Sequence, residues 1–221
     1  MIYFAVIGDI ISSRKIKDRN KFQRHLKDVI SSINSEYEGD LASAFVVTLG
    51  DEFQGLLKKA DHLLEITDKI KFMLDPVEVR FGIGIGGIDT EINFSSSTGA
   101  DGPAYWCARN AINSIHNHND YKKSKILIEA TEKTDFMDVV NESLRLCDFT
   151  ESKWRNTQRE LVKQSVLNFG YDTAIPQKNL ASLLNITVQT VNSKIQSTGY
   201  YNYLRLKKSV CATLQNHWGN K

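Results

Sequence analysis

The sequence predicts an α+β protein: helices packed on a mainly antiparallel five-stranded sheet, followed by a small all-helical tail. Apolar runs without helical period alternate with amphipathic stretches in the order strand, helix, strand, strand, helix, strand, helix, strand, or βαββαβαβ. Strand signals stop around residues 132–150, and the chain beyond has helical spacing. Charge divides at the same place. Residues 1–150 carry 18 Lys and Arg against 23 Asp and Glu, a balance of −5, whereas residues 151–221 carry 10 against 3, a balance of +7. The predicted domains are therefore 1–150 and 151–221.

Ile2 to Ile10 is an almost continuous apolar run, as a central strand buried on both faces requires. Phe22, Leu26, Val29, Ile30 and Ile33 follow helical spacing behind Asp18, an N-cap residue type, which predicts a helix over 19–36. Ala44 to Leu49 and Glu52 to Leu57 are short strands, and Gly50-Asp51 between them suits a tight reversal. Leu63, Leu64, Ile66, Ile70 and Met73 predict a second helix ahead of Pro76. From Val77 to Ile88, Val79, Phe81, Ile83 and Ile85 alternate with Gly82, Gly84 and Gly86. A glycine face of this kind admits a ligand or another backbone at close range. Pro103 stands where a third helix begins, Ala104 to Ile115 continues it, and Lys125 to Glu129 is the last strand.

The 221 residues include 41% apolar ones, ample for a core. No apolar run reaches the ~18 residues of a membrane span, and no basic leader precedes a cleavage site. A soluble, cytoplasmic protein without membrane contact is expected. Cys107, Cys147 and Cys211 are odd in number and form no CxxC pair, so reduced core or helix residues are expected.

Asp9 and Asp51 each follow a run of strand-forming residues. A carboxylate at the end of a buried strand is costly to desolvate unless something positive satisfies it. Each alone reads as a helix cap or a turn residue. Together they suggest Mg²⁺ (or Mn²⁺), which takes one or two protein carboxylates and completes its shell with water and phosphate oxygens. The amides of Ile11, Ser12 and Ser13 then offer a phosphate cradle, with Arg14, Lys15, Lys17 and Arg19 adding charge. Arg109, on the helix after the Ser/Gly-rich loop 95–102, is the candidate for steadying charge on a transferring phosphoryl group, against the alternative of a surface salt bridge. Two patterns are weaker. Gly82 to Gly87 fits GxGxxG formally but opens no helix, and His116, His118 and Asp120 lie in a polar loop where capping or solvation accounts for them.

In the tail, Arg155 to Phe169 forms one amphipathic helix, and residues 177–195 follow a helix-turn-helix pattern. Ala181 lets two helices cross closely, Asn185 tolerates a left-handed turn, Thr187 caps the second helix, and Val191 and Ile195 face inward. Gln189, Thr190, Asn192, Ser193 and Lys194 would then face a DNA groove. Tyr200, Tyr201 and Tyr203 look like core anchors beside a phosphate-contacting edge formed by Arg205, Lys207 and Lys208. A helical bundle used for dimerisation is the alternative.

Phe4 to Ile10, residues 48–51, Arg80 to Gly86 and Gly102 to Arg109 resemble, in order and approximate spacing, the palm (ferredoxin-like) domain of class III nucleotide cyclases and GGDEF diguanylate cyclases. The resemblance implies two Mg²⁺ ions on a nucleoside triphosphate and sites between the subunits of a homodimer. The candidate metal positions are Asp9, Ile10 and Asp51. The chain departs from the pattern. No lysine stands on the strand before the hairpin aspartate, Tyr105 replaces an asparagine four residues before Arg109, and Leu49 replaces a second glycine. Over most of its length the chain resembles the SatD family, through residues 7–14, 49–56 and 99–105. The tail resembles the helix-turn-helix of LuxR-type regulators and sigma-factor region four. The expected function is a nucleotide-responsive regulator binding double-stranded DNA. The alternative is an active nucleotidyl cyclase or nucleotidyltransferase.

Overall fold

The computed structural model describes residues 1–48, 50–117 and 124–219. Among these, a five-stranded mixed sheet is accompanied by eight α-helices. The strands are β1 (Tyr3–Ile10), β2 (Leu41–Val47), β3 (Glu52–Leu57), β4 (Val79–Gly86) and β5 (Ile126–Ala130), in spatial order β2-β3-β1-β4-β5. All neighbours are antiparallel except β4 and β5. β1 is central, and its two faces are both apolar, which explains its unbroken hydrophobic run.

On one face, α1 (Arg19–Glu36) and α2 (Leu63–Leu74) pack against Phe4, Val6, Ile10, Phe81 and Ile83. Asp18 caps α1 by accepting from the Lys21 amide at 2.9 Å. On the other face, α3 (Pro103–Asn117) covers Ala5, Ile7 and Leu56 with Ala104, Tyr105, Ala108 and Ile112. The glycine face of β4 is filled by a backbone. A Cβ on Gly84 would lie 1.9 Å from the Ala104 carbonyl oxygen, and one on Gly82 would lie 2.2 Å from that of Ala108.

Both edges of the sheet are closed by asparagine side chains. Asn34 of α1 exchanges two 2.8 Å hydrogen bonds with the backbone of Phe45 in β2. Asn141, in α4 (Met137–Ser152), exchanges two of 2.9 Å with Ile128 in β5. Each amide imitates a further strand and removes a site for edge-to-edge pairing.

The remaining helices are α5 (Asn156–Phe169), α6 (Gln177–Leu184), α7 (Val188–Thr198) and α8 (Tyr200–Trp218). Thr150, where the charge balance divides the chain, lies in the last turn of α4. The buried apolar cluster runs from the sheet through α2 into α4, α5 and α8 without a break. Here α2 is covered on its outer side as well, so Asp68, Lys69 and Lys71 are buried.

Asp68 accepts from Lys207 Nζ at 2.7 and 2.8 Å, from Lys71 Nζ at 2.8 Å, and from the hydroxyls of Tyr171 and Tyr203 at 2.6 and 3.0 Å. Burial alone would push this carboxyl up, but the charges of Lys207 and Lys71 outweigh it and hold the pKa well below the carboxylate range. Glu151 takes Lys71 at 2.6 Å and Arg159 at 2.5 Å. Asp75 takes Arg159 and Lys163, each at 3.1 Å. The expectation that Lys207 lines a phosphate-contacting edge is therefore corrected. It is 1% exposed, and its charge neutralises Asp68. The cysteines are free, with Cys147 and Cys211 buried. No helix of the described residues is long and apolar enough to cross a membrane.

Lys207→Met removes one of the two buried cations on Asp68 and leaves it Lys71, itself shared with Glu151, and two phenols, and denaturant titration should show a loss of about 3–5 kcal/mol. Asp148 tests the same seam by pH. It accepts from the Lys125 amide at 2.6 Å, and burial pushes its carboxyl up to about 6 against the pull of Lys207. A carboxyl raised on folding contributes stability that is full below its unfolded pKa and is lost as pH rises through the folded one. Wild-type protein should therefore lose stability between pH 4 and 7, by an amount on the order of 3 kcal/mol. Asp148→Asn, which keeps an acceptor and cannot ionise, should flatten that part of the profile.

Candidate functional site

At the end of β1 the alternation that buries Ala5 and Ile7 under α3 carries Asp9 onto the same face. The hairpin between β2 and β3 returns beside it. Gly50 adopts φ +62°, a left-handed conformation natural to glycine, and the Ile10 amide donates to the Asp51 carbonyl at 2.9 Å. The structure thus brings Asp9, Ile10 and Asp51 together through one backbone hydrogen bond. The two carboxylates have different partners. Arg80 Nε donates to Asp9 Oδ2 at 2.7 Å with Nη2 also 2.7 Å from that oxygen in an ion pair, and the Ser13 hydroxyl donates to Asp51 Oδ2 at 2.5 Å.

Asp9 lies between two charged residues on neighbouring strands. Its register partner on β3 is Glu52 and on β4 is Arg80. Arg109 descends from α3 and grips Glu52 with both terminal nitrogens, one at 2.7 Å. Hydrogen bonding to Glu52, reinforced by the charges of Glu52 and Asp9, raises the pKa of Arg109 further. The face therefore carries a row of Glu52, Asp9 and Arg80 with Arg109 above it. Tyr105, one helical turn before Arg109, is packed under α3, and burial pushes its phenol up.

The proposed cradle is distributed differently. The Ile11 amide already donates to the Glu78 carbonyl at 2.9 Å. Ser12 adopts φ 57°, Ser13 is buried, and Arg14, Lys15, Lys17 and Arg19 are exposed. Among the described residues no group of three or more His, Cys, Asp and Glu is arranged to hold a metal ion. Carboxylates such as those of Asp9 and Asp51, and backbone carbonyls, are hard oxygens of the kind Mg²⁺ accepts beside water and phosphate. His118 and Asp120 lie outside the described residues, as do Leu49 and the side chain of His116.

In the tail, Asn185 takes the left-handed conformation at φ 51°, and Thr187 caps α7 by accepting from the Thr190 amide at 3.1 Å. Val191 and Ile195 are buried, while Gln189, Thr190, Asn192 and Ser193 are exposed. Lys194 is half-buried and donates to the Thr157 carbonyl at 3.0 Å, so it leans on α5. Beside α7 runs a groove of about 570 Å³, lined among others by Lys153, Trp154, Arg155, Gln158, Ser193 and Ser197. Among the described residues no carboxylate lines it.

A SatD family model matches residues 3–214, which takes in the sheet and the helical tail together. The chain belongs to the SatD family. No curated protein matches it.

In this SatD-family chain, the sequence did not point to Glu52 or Arg80 as site residues, and it pointed to Ser13 through a different atom. Ser13 was assigned through its amide, but its hydroxyl makes the contact with Asp51. Glu52 adjoins Asp51 and was read as strand only. Arg80 carried a usable signal, since alternation places it on the same face of β4 as Gly82, Gly84 and Gly86. It is the one charged residue on that face of the strand.

Because α3 sits directly on β4, Gly84→Ala should push α3 outward and cost about 1–3 kcal/mol in thermal or denaturant unfolding. An unchanged midpoint would show that the helix does not depend on this contact.

Proposed function

We propose that this SatD-family chain is a nucleotide-responsive DNA-binding regulator. The sheet module, read as a palm domain, would bind a nucleoside triphosphate with Mg²⁺, and the tail, read as a helix-turn-helix, would bind double-stranded DNA. Asp9, Asp51 and the Ile10 carbonyl are the residues that would hold the ion, which neutralises phosphate charge when bound. Ser12, Ser13 and Arg14 flank them on the chain, and Arg109 stands above as the guanidinium closest in kind to phosphate chemistry.

One observation carries the regulatory reading. The short segment 75–80 touches both modules. Arg80 at its end is bound to Asp9, and Asp75 at its start is bound to Arg159 and Lys163 of α5. A ligand that changes the charge on Asp9 therefore acts on a segment tied to the first helix of the tail. For DNA, support comes from the exposed polar face of α7 and from the acid-free groove beside it, where Lys153 and Arg155 suit phosphates and Gln189 and Asn192 suit base edges.

A second reading, phosphoryl transfer at the same site, is favoured by the guanidinium of Arg109, which sits on Glu52, the cross-strand neighbour of Asp9. One set of measurements separates the two. Calorimetry with each nucleoside triphosphate should detect Mg²⁺-dependent binding that Asp51→Asn weakens at least about tenfold. Product formation abolished by the same substitution would assign catalysis, and no uptake of any triphosphate would remove both readings. With duplex DNA at stated salt, Gln189→Ala should relax sequence preference. Lys153→Gln with Arg155→Gln should reduce the slope of log affinity against log salt by about 2. Absence of duplex binding at low salt would end the DNA reading.

A further inference from the structure

Arg80 is paired with a carboxylate that the proposed metal ion would also need. On the α3 face, Glu52 and Asp9 are direct cross-strand neighbours, and like charges in that relation repel. Two arginines offset them: Arg80 on Asp9 and Arg109 on Glu52. Both pairs are within reach of water, since the side chains of Asp9 and Arg80 are 22% and 18% exposed and those of Glu52 and Arg109 are 15% and 45% exposed. Neither arginine is fixed in the way Lys207 is. The Asp9–Arg80 contact also uses one carboxylate oxygen for two guanidinium nitrogens. This leaves out the parallel two-oxygen arrangement that makes such pairs strongest.

We infer that Arg80 is a triphosphate-binding residue whose guanidinium exchanges Asp9 for a phosphate oxygen when Mg²⁺ and nucleotide arrive together. This rests on the metal and nucleotide reading of the site and adds to it the partner exchange. A cation on Asp9 and a guanidinium on Asp9 compete for one charge, so Mg²⁺ alone is opposed by Arg80. A Mg²⁺-triphosphate supplies both halves of the exchange: the ion replaces Arg80 on the carboxylate, and the phosphate replaces the carboxylate on Arg80. Arg80 thereby couples the two ligands and makes each a poor ligand without the other. The residue needs no change of strand register, because β4 holds it beside Asp9 at the end of the paired region.

Opposite signs on two titrations test the exchange. Full-length protein is titrated by calorimetry with MgCl₂ alone, then with Mg²⁺ and the non-hydrolysable α,β-methylene analogues of ATP and GTP. Arg80→Gln should tighten Mg²⁺ alone by about fivefold, the upper end of what a partly exposed ion pair supplies. It should weaken the Mg²⁺-triphosphate analogue by about tenfold or more, as loss of a charge-assisted hydrogen bond requires. Arg80→Lys, which keeps the charge and loses the planar fork, should leave Mg²⁺ alone within about twofold of wild type and still weaken the analogue. Circular dichroism and thermal midpoint on the same samples separate folding from binding. If wild type binds both ligands and Arg80→Gln shifts both affinities in one direction or neither, the exchange is overturned while the site stands. If wild type takes up neither ion nor analogue, the exchange falls together with the nucleotide reading.

Discussion

The carboxylate of Asp68 and the ammonium of Lys207 hold this molecule in one arrangement. Four donors, two ammonium groups and two phenols, converge on one side chain in the middle of α2. Buried ion pairs of this sort contribute little net stability over an apolar alternative, because desolvation consumes most of the attraction. Their geometry is demanding, however. Lys207 and Tyr203 come from α8, Tyr171 from the segment after α5, and Lys71 from α2 itself, so sliding or rotating α8 against α2 would strand a charge. The tail is consequently seated on the sheet module in a single register. The position of α7 relative to Asp9 follows from that seating.

A second constraint acts on the opposite face of the sheet. Three glycines on β4 let the backbone of α3 lie where side chains would otherwise stand. Close approach makes the contact of α3 with β4 insensitive to side-chain rotamers, and that fixes where Arg109 projects. Charges on this face can only gather at the margin of the helix contact, where Glu52, Asp9 and Arg80 form their row. Glycine spacing and site position are therefore two consequences of one packing choice.

Much of this was legible in the sequence because it is local. The period of Leu26, Val29, Ile30 and Ile33 gives α1, and the run around Ala5 and Ile7 gives a strand buried on both faces. Asn185 and Thr187 mark the turn and cap between α6 and α7. What was illegible depends on distant partners. Arg80 and Asp9 are 71 positions apart and Lys207 and Asp68 are 139 apart, so neither pairing has a periodic trace. Charge asymmetry is ambiguous for the same reason. A surplus of cations in the tail points equally to an external polyanion or to acids elsewhere in the chain, and Arg159, Lys163 and Lys207 are matched by Asp75, Glu151 and Asp68. Lys153 and Arg155, exposed along the groove beside α7, belong to the part of the surplus that external anions can reach. The burial of Asp68, Lys69 and Lys71 in α2 left no trace in the sequence, because nothing in a helical pattern reveals that a second layer will cover the polar face.

The two anchors of segment 75–80 differ in strength, and that difference gives the coupling a direction. At the tail end, burial opposes the ionisation of Asp75, but hydrogen bonding from Lys163 and the charge of Arg159 prevail and lower its pKa. Arg159 is further held by Glu151, whose side chain is 10% exposed and shared with Lys71. Breaking this end would disturb the whole network around Asp68. At the site end, Arg80 rests on one oxygen of a carboxylate that has a like charge beside it. A ligand of the proposed kind would therefore displace the Arg80 contact while Asp75 stayed attached to α5. Under the proposed regulatory reading, a disturbance at Asp9 would be conveyed toward the tail along a segment whose far end is the firmer one. The reverse route, from α5 to Asp9, would have to loosen the buried network first. A strong joint at the tail and a weak one at the site are what a protein needs if a small charged ligand is to be the input and the helical tail the output.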